Sequence, residues 1–178
     1  MNDKSDSVLV KECLAGNKKS FEQLVERYKK PVFNVALRII NNYDDAAEIA
    51  QTTFIKAFEK LHTFDTKRKF FSWLYRIATN ESLNYLKARK QHEILSAEHV
   101  SYERSPDEKV NDAEADQQLQ SALMQLSPDH RIVLVLCHFH NLTYKEISAI
   151  LDVPEKTVKS RLFSARKNLK ELLEREGI

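Results

Sequence analysis

The chain has 178 residues, of which 42% are hydrophobic, so it is long and apolar enough to bury the core of one medium domain or two small ones. Only two residues are glycine and four are proline, fewer than turns between strands require, and the expected fold is therefore all-α. The formal net charge is only +2, so a nucleic-acid partner has to be inferred from where the charges lie, not from their sum.

The sequence contains neither a membrane segment nor a disulfide framework. No apolar run approaches the ~20 residues of a membrane span, and residues 1–7 are polar, without a hydrophobic signal core. Cys13 and Cys137 are far apart and form no CxxC pair, which favours a reducing compartment. We expect a soluble, cytoplasmic protein with no direct membrane insertion.

The first forty residues predict two helices. Residues 8–14 have the pattern of a short amphipathic helix that ends at Gly16. Asn17 is a cap for the second helix, because its side chain can accept a hydrogen bond from a free backbone N–H. Pro31 is expected to kink or restart this helix, and Asn41 to end it.

Two further helices are predicted before residue 91. Acids in the first turns favour a third helix that begins at about Asp44 and ends near His62. The fourth, residues 69–90, has more aromatic side chains than one face can bury. In and just before it, the single acid Glu81 stands among seven bases, which are Lys67, Arg68, Lys69, Arg76, Lys87, Arg89 and Lys90.

The chain is expected to form two small helical domains joined by a flexible acidic linker. Residues 91–116 carry eight acidic side chains against two basic ones and show no sustained apolar period. This divides the chain into an N-terminal domain, 1–90, the linker, and a C-terminal domain, 117–178. Within the last, Ser127 and the proline after it mark the start of a helix that reaches about Phe139.

Residues 142–169 have the pattern of a helix-turn-helix. Thr143 and Glu146 fit a capping box that opens the first helix, and residues 152–154 form the short turn. The second helix, from about Glu155, buries Val158, Leu162, Ala165 and Leu169. Its outer face then carries Lys156, Lys159, Ser160 and Phe163, with Thr157 near the start.

The outer face of this second helix favours duplex DNA as a ligand. A recognition helix presents its first turns to base edges in the major groove, where lysine and serine bond to bases or phosphates. Neighbouring cations would act as phosphate clamps, and these are Arg161, Arg166, Lys167 and Lys170. The alternative is an ordinary helical hairpin whose charges are solvated.

The fourth helix favours single-stranded DNA. Cations neutralise phosphates, and aromatic faces or pockets receive unstacked bases at roughly 1–3 kcal/mol per base. The alternative is a core stripe flanked by solvated lysines. The presence of this helix and a helix-turn-helix in one chain indicates two separate DNA contacts.

Three segments resemble the extracytoplasmic-function (ECF) sigma factors of bacteria, in the family's order and spacing. Residues 71–80, FSWLYRIATN, with 84–86, NYL, resemble the part that melts and reads the −10 promoter element. Residues 142–147, LTYKEI, with 157–162, TVKSRL, resemble the −35 reader. Residues 45–54, DAAEIAQTTF, are similar to the segment that binds the polymerase clamp.

The resemblance, which extends from about residue 9 to 173, implies a non-catalytic initiation subunit without a cofactor. Its implied partners are the clamp and flap regions of core RNA polymerase, promoter DNA, and an anti-sigma factor. The −10 strand would contact Lys69, Phe70, Trp73, Tyr75, Arg76, Asn80, Tyr85 and Lys87, with Trp73 partly structural. The −35 duplex would contact Tyr144, Lys156, Thr157, Lys159, Ser160, Arg161, Phe163 and Arg166. Polymerase would contact Asp45, Glu48, Gln51 and Phe54.

Four positions depart from the family pattern. Thr52 stands where an acid usually follows glutamine, which removes one polar contact to polymerase. Lys156 and Ser164 replace a common glycine and a common base, so the preferred −35 sequence is expected to differ. Asp152 replaces a turn glycine, which strains the turn if its φ is positive.

Two other classes of function stay open on the residues alone. A plain DNA-binding regulator would use the C-terminal domain without polymerase, but it leaves the N-terminal motifs unexplained. An enzyme or metal protein could use Cys137, His138 and His140, with His130 nearby. Against this, these residues lie in an apolar helix, where a core thiol and surface imidazoles are the simpler interpretation.

Overall fold

The computed structural model describes residues 4–96 and 113–175, with the side chains of 4–92 and 115–175. Within these ranges the secondary structure is helical and contains no strand, which confirms the all-α expectation. Most of the predicted linker lies outside the described residues. The helices are α1 (Asp6–Leu14), α2 (Lys18–Ile40), α3 (Tyr43–Lys60), α4 (Phe70–Ser96), α5 (Ala113–Gln125), α6 (Pro128–Leu134), α7 (Tyr144–Leu151) and α8 (Glu155–Arg175). A 3₁₀ turn, Leu61–Thr63, follows α3, and a π-helical turn, Val135–Phe139, continues α6.

Most helix ends fall where the sequence predicts them. The Asn17 side chain accepts a hydrogen bond from the Lys19 backbone N–H at 3.1 Å, and it caps α2. Gly16 has a φ of +100°, and Asn41, at the end of α2, has a φ of +55°. Both residue types tolerate this left-handed backbone, so each ends its helix without the clash that a larger side chain meets.

Helix α2 runs without interruption through Pro31, so it does not restart there. Proline removes one backbone hydrogen bond and crowds the preceding turn. Beyond it, α2 buries Val32, Val35, Ala36 and Ile39 between the other helices of the N-terminal domain. The free energy gained by burying four apolar side chains exceeds the free energy lost at one proline, so packing maintains the helix.

The N-terminal domain is built around α2, which packs against α1, α3 and α4. Its core is formed by the apolar stripe of each helix, which includes Leu9, Leu24, Ile39, Ile40, Ala46, Ala57, Leu74 and Ala78. The predicted fourth helix extends beyond residue 90 to Ser96. In the parts of the chain described here, no helix is both long and apolar enough to cross a membrane.

The C-terminal domain packs α8 against α5, α6 and α7. The helix that follows Ser127 ends at the predicted Phe139, and its last five residues, which continue α6, adopt a π-helical turn. The Ser127 hydroxyl accepts from the His130 backbone N–H at the start of α6, as a predicted N-cap should. Residues 132–136 are all buried, so this helix forms the centre of the domain.

The side chain of Arg131 connects the two domains. It is only 4% exposed, and its guanidinium donates to the backbone carbonyls of Leu123 at 2.9 Å, Met124 at 2.9 Å and Leu126 at 3.1 Å. A further N–H donates to the carbonyl of Ile39 at the end of α2. The last carbonyls of a helix lack intrahelical donors, so one cation satisfies two helix ends in different domains.

Arg38 reinforces the same junction from the other domain. Its guanidinium pairs with Asp116 at 2.6 Å and donates a hydrogen bond to the side-chain oxygen of Gln120 at 3.1 Å. It also lies over the Phe139 ring, 4.6 Å from the centroid. The Gln120 amide donates back to the Arg38 carbonyl at 3.2 Å. The end of α2 is therefore held by both polar and aromatic contacts with the C-terminal domain.

Replacing Arg131 with methionine should destabilise the protein severely. Arg131→Met keeps an unbranched apolar stem but leaves buried carbonyls without donors, at about 1–3 kcal/mol each. We expect the free energy of unfolding to fall by about 3 kcal/mol or more, as measured by urea unfolding followed by far-UV circular dichroism. Arg161→Met is the matched control, because its partly exposed pair with Asp129 should contribute about 1 kcal/mol or less. Equal losses in the two variants would contradict a central role for Arg131.

Candidate nucleic-acid interface

Helix α4 carries the residues expected to bind single-stranded DNA, and its inner face fixes their position. Leu74, Ala78 and Ser82 are buried at a spacing of four residues, where α4 packs against α2 and α3. The Ser82 hydroxyl donates to the Ala78 carbonyl at 2.9 Å, so this polar atom is satisfied inside the core. The predicted DNA contacts Asn80 and Lys87 are exposed on the other side of the helix.

The aromatic side chains at the start of α4 pack on one another. The ring of Trp73 lies 5.2 Å from that of Phe64 and 5.9 Å from that of Phe70, which is itself 5.8 Å from Tyr28. Phe70 is buried and Trp73 is half-buried. In this form of the protein, two of the predicted stacking residues therefore contribute to the core of the N-terminal domain.

A cavity of about 380 Å³ lies beside this cluster, between the start of α1 and the loop that joins α3 to α4. Its walls include Phe64, Phe70 and Phe71, together with the cations Arg68 and Lys69. An apolar wall next to two cations suits an unstacked base and its phosphates. Sequence analysis counted Arg68 only as part of the basic run. It missed Phe64, which lies in a loop where no periodicity marks it.

Tyr75 is 6% exposed and packs between Phe71 of its own helix and His140 of the C-terminal domain. The His140 ring stands edge-on to its ring with centroids 5.4 Å apart, and the Tyr75 hydroxyl lies 3.4 Å from His140 Nδ1. Burial raises the pKa of Tyr75 to about 12 and lowers the pKa of His140 to about 4. The His140 Nε2 atom is buried without a hydrogen-bond partner. This contact therefore favours the neutral form of both rings.

Two ion pairs connect α4 and the residue that precedes it to the helix-turn-helix. Lys69 Nζ lies 2.6 Å from Glu146 Oε1, and Arg76 Nη2 lies 2.8 Å from Asp152 Oδ2. The hydrogen bond from Lys69, followed by that from the Thr143 backbone N–H, holds the pKa of Glu146 below its usual range. Two cations expected to contact DNA are thus paired with acids of the C-terminal domain.

Tyr85 connects the predicted DNA-binding and polymerase-binding residues. Its hydroxyl donates a hydrogen bond to the carboxylate of Asp45 on α3. Burial first, and then this hydrogen bond, raise the pKa of Tyr85 to about 12. One hydrogen bond therefore links α3 to the middle of α4.

The predicted polymerase-binding residues lie along α3, with Glu48 and Gln51 exposed and Phe54 half-buried. Sequence analysis missed two large apolar residues on this helix, Ile55 and Phe58, which are 51% and 46% exposed. With Phe54 they line a shallow groove of about 310 Å³. The available signal was that both lie outside the buried stripe of α3, so they had to be exposed.

The helix-turn-helix forms as predicted. Thr143 and Glu146 make both hydrogen bonds of the capping box at the start of α7, where Tyr144 is half-buried. Asp152 has a φ of +56°, so the condition for strain at the missing turn glycine is met. The inner face of α8 buries Val158, Leu162 and Ala165. Its outer face exposes Lys156, Lys159, Ser160 and Phe163, the last 74% exposed, while Thr157 is half-buried.

The two arginines expected to bind the −35 duplex contact other residues of the C-terminal domain. Arg161 pairs with Asp129 at 2.8 Å. Arg166 donates to His138 Nε2 at 3.2 Å and lies 3.9 Å from the Cys137 sulfur. Burial, and then the charge of Arg166, lower the pKa of His138. Both guanidinium groups are therefore held beside the exposed face of α8.

The two halves of the chain match two regions of one family. Residues 24–92 match Sigma-70 region 2, and residues 116–169 match Sigma-70, region 4. The chain is 31% identical over 176 residues to the ECF RNA polymerase sigma factor SigW of Bacillus subtilis, across 92% of this chain and 94% of SigW. The chain belongs to the ECF sigma factors. It is also 33% identical over 174 residues to the ECF RNA polymerase sigma-E factor of Escherichia coli K12, across 91% of each.

Two solved structures resemble this ECF sigma factor over both domains. CnrH, solved in complex with the cytosolic domain of CnrY, has a TM-score of 0.75 and 26% identity, and the match covers 97% of this chain and 99% of CnrH. The sigma factor RpoE from Bartonella quintana, solved with the anti-sigma factor NepR, has a TM-score of 0.72 and 26% identity. That match covers 88% of this chain and 98% of RpoE.

Family membership decides against the two alternative functions. The match to region 2 accounts for the N-terminal motifs that a plain regulator leaves unexplained. The residues considered as metal ligands have other contacts, since Cys137 lies near Arg166 and His140 packs on Tyr75. Across residues 4–96 and 113–175, no three His, Cys, Asp or Glu side chains are grouped to hold a metal ion.

The burial of His140 should make stability depend on pH. Its pKa is about 4 in the folded protein against an ordinary 6.5, so the unfolded chain takes up the proton first. The free energy of unfolding should therefore fall as pH drops from 6.5 towards 4 and be unaffected by this group above 6.5. His140→Gln should flatten this part of the profile, as measured by urea unfolding at a series of pH values. His62→Gln, at an exposed site on the 3₁₀ turn, is the control, and a His140→Gln profile as steep as the control's would refute the prediction.

Proposed function

We propose that this ECF sigma factor binds core RNA polymerase and directs it to promoters, with α8 reading the paired −35 element and α4 capturing the unwound −10 strand. One observation carries the proposal: a single chain combines an exposed recognition helix with a basic, aromatic helix in a separate domain. A duplex reader needs only the first. A protein that also selects unwound DNA needs both, because a base is accessible to a pocket only after it is unpaired.

The exposed face of α8 is suited to reading base edges. Lys156, Lys159 and Ser160 offer hydrogen-bond donors near the helix start, where a recognition helix enters the major groove. The exposed ring of Phe163 is an apolar surface for a thymine methyl group. Arg161 and its neighbours are proposed to contact phosphates, which add affinity without sequence information.

The −10 strand is proposed to lie along α4 and the loop before it. Asn80 is exposed and offers an amide to a base edge, while Lys87 offers a charge to the backbone. The cavity beside Phe64 and Phe70 is large enough and apolar enough to receive a base that has left the stack. The affinity of this surface for the single strand offsets part of the free energy of melting.

Helix α3 is the proposed contact with the polymerase clamp. Its exposed face combines the apolar side chains of Ile55 and Phe58 with the polar side chains of Glu48 and Gln51. An apolar centre surrounded by polar groups is the usual composition of a protein interface. The C-terminal domain is proposed to bind the polymerase flap, which places the two DNA-reading helices on one enzyme.

The remaining proposals concern organisation, location and regulation. We place the domain boundaries at residues 1–90 and 117–178, with 91–116 as the tether between the two DNA contacts. The cytoplasm is the proposed location, where polymerase and promoters are found.

CnrH was solved with the cytosolic domain of CnrY, and RpoE with the anti-sigma factor NepR. An anti-sigma partner is proposed for this chain on the same basis.

Run-off transcription with purified core RNA polymerase tests the central proposal. With a library of promoter fragments, the chain should form a stable complex with core polymerase and initiate RNA at defined sites. Core polymerase alone provides the control. A protein that binds duplex DNA but neither joins core polymerase nor starts transcripts at any defined site would be a regulator, and the proposal would be wrong.

Substitutions in α8 and α4 should separate the two DNA contacts. Lys159→Ala should reduce the discrimination between the preferred −35 sequence and a mismatched one by about fivefold or more, because a base contact is worth about 1–3 kcal/mol. Asn80→Ala should reduce promoter opening by about fivefold and leave −35 duplex binding unchanged. Duplex binding is measured by fluorescence anisotropy, and opening by permanganate reactivity of unpaired thymines.

Matched controls keep these effects specific. Lys170→Ala removes an exposed lysine three turns further along α8, and Asn34→Ala removes an exposed asparagine on α2. Neither should change −35 discrimination or opening. If Asn80→Ala and Lys159→Ala impaired binding to the isolated −35 duplex equally, the proposed division between the domains would be wrong.

A further inference from the structure

The cavity beside the aromatic cluster has one wall that contains none of the predicted DNA contacts. Ser5, Asp6, Ser7 and Val10, at the start of α1, line the cavity together with residues of α4 and of the loop before it. A role for this wall in DNA binding rests on the proposed function of the cavity, which is to receive an unstacked base of the −10 strand. The start of α1 adjoins the place where that base would lie.

Asp6 joins α1 to α2 through both oxygens of its carboxylate. One oxygen accepts a hydrogen bond from the Arg27 guanidinium, and the other accepts from the Tyr28 hydroxyl at 2.5 Å. Burial first, and then this hydrogen bond, raise the pKa of Tyr28, so its hydroxyl keeps the proton that it donates. The side chain of Tyr28 is therefore held at its hydroxyl end by α1.

The ring of Tyr28 extends this contact to the cavity wall. Its centroid lies 5.8 Å from that of Phe70, and Phe70 stands edge-on to Phe64 with centroids 5.7 Å apart. Both phenylalanines line the cavity, and they are 3% and 8% exposed. Closely packed rings cannot move independently, because the space around them is filled. A continuous set of contacts therefore runs from Asp6 through Tyr28 to the aromatic wall of the cavity.

The pairing with Arg27 makes a carboxylate compatible with DNA at this place. An uncompensated carboxylate in the cavity wall would repel the phosphates on either side of a bound base. The side chains of Arg27 and Asp6 are 27% and 24% exposed, so their pairing is partly shielded from water. The pair is formally neutral. Asp6 can therefore hold Tyr28 without opposing the attraction of the cavity's cations for phosphate.

The docking of α1 has a separate basis in apolar packing. Leu9 and Val10 are fully buried where α1 packs against α2 and the 3₁₀ turn that follows α3. Burial of two such side chains stabilises the docked helix independently of its polar contacts. The position of Tyr28 remains as the specific effect of Asp6.

We propose that Asp6 is a positioning residue of the base cavity, which holds Tyr28 and thereby keeps Phe70 in the wall that receives an unstacked base. A wall that is already ordered loses less conformational freedom when the base binds, so binding is tighter. Helix α1 thus contributes to −10 recognition through a side chain that carries the same sign of charge as DNA.

The test measures how much each base contributes to binding by the holoenzyme formed from the full chain and core RNA polymerase. The probes are fluorescein-labelled single strands that carry the −10 sequence of a promoter found by run-off transcription. Each probe lacks one base at a different position, and anisotropy gives the affinity lost by removing it. Phe64→Leu, which alters the cavity wall, identifies the base that the cavity receives. In the parent chain, removal of that base should cost about fivefold in affinity or more.

Two substitutions interrupt the proposed contacts at different points. Asp6→Ala removes the carboxylate, and Tyr28→Phe removes only the hydroxyl, so the ring and the fold are retained. Each should make the affinity lost at the identified base about threefold smaller, because the wall is less well ordered. The losses at the other bases of the strand should be unchanged.

Glu12→Ala is the matched control. Glu12 is the other carboxylate of α1 that accepts from one cation and one hydroxyl, those of Lys4 and Ser20, both at 2.6 Å. Among the described residues, Glu12 is not part of the cavity wall. Its removal should lower the melting temperature of the free chain, as measured by circular dichroism, and leave the affinity lost at every base as it is in the parent.

The outcomes separate the role of Asp6 from the function of the cavity. If Phe64→Leu changes the affinity lost at no base, the cavity does not receive a base, and the role of Asp6 fails with it. If Phe64→Leu identifies a base but either Asp6→Ala or Tyr28→Phe behaves as the parent does, the cavity function stands and the positioning role is wrong. An equal effect of Glu12→Ala would show a general loosening of α1 and would also overturn it. Smaller losses at that one base, confined to Asp6→Ala and Tyr28→Phe, support the proposal.

Discussion

The arrangement of this protein depends on one buried cation, the guanidinium of Arg131. Its donors satisfy backbone carbonyls at the end of α5 and the carbonyl of Ile39 at the end of α2, which belong to different domains. Helix ends concentrate partial negative charge, so a cation between two of them replaces the water that each would otherwise require. The Arg131 guanidinium fixes the end of α2 against α5 and α6, and the position of the C-terminal domain that results brings α7 against α4.

Helix α4 serves two purposes that require the same residue types. Its inner face must pack in a helical core, and its outer face must remain polar enough to bind a charged strand. Aromatic side chains satisfy both demands, since Phe70 and Trp73 complete the core while lining or adjoining a cavity at the surface. Cations behave in the same way, because a charge that suits phosphate also suits a carboxylate of the neighbouring domain.

Local features of the fold were readable from the sequence, and long-range ones were not. Asn17, the Thr143 capping box and the turn at Asp152 act through neighbours a few residues away, so their pattern predicts their geometry. The continuity of α2 through Pro31 depends on the burial of residues that pack against other helices, which outweighs the local cost of the proline. The pairing of Lys69 with Glu146 joins positions 77 residues apart, and no periodicity reports such a contact.

The same limit applies to the candidate site. The outer face of α8 followed directly from helical spacing, because exposure there is the complement of a buried stripe. The cavity beside Phe64 requires a loop, the start of α1 and the first turn of α4 to converge, which depends on tertiary packing. The chain contains a single tryptophan, and it is Trp73, next to that cavity and between the interdomain ion pairs of Lys69 and Arg76. The protein therefore carries an intrinsic fluorophore at this surface, and its emission reports the local environment there without any attached dye.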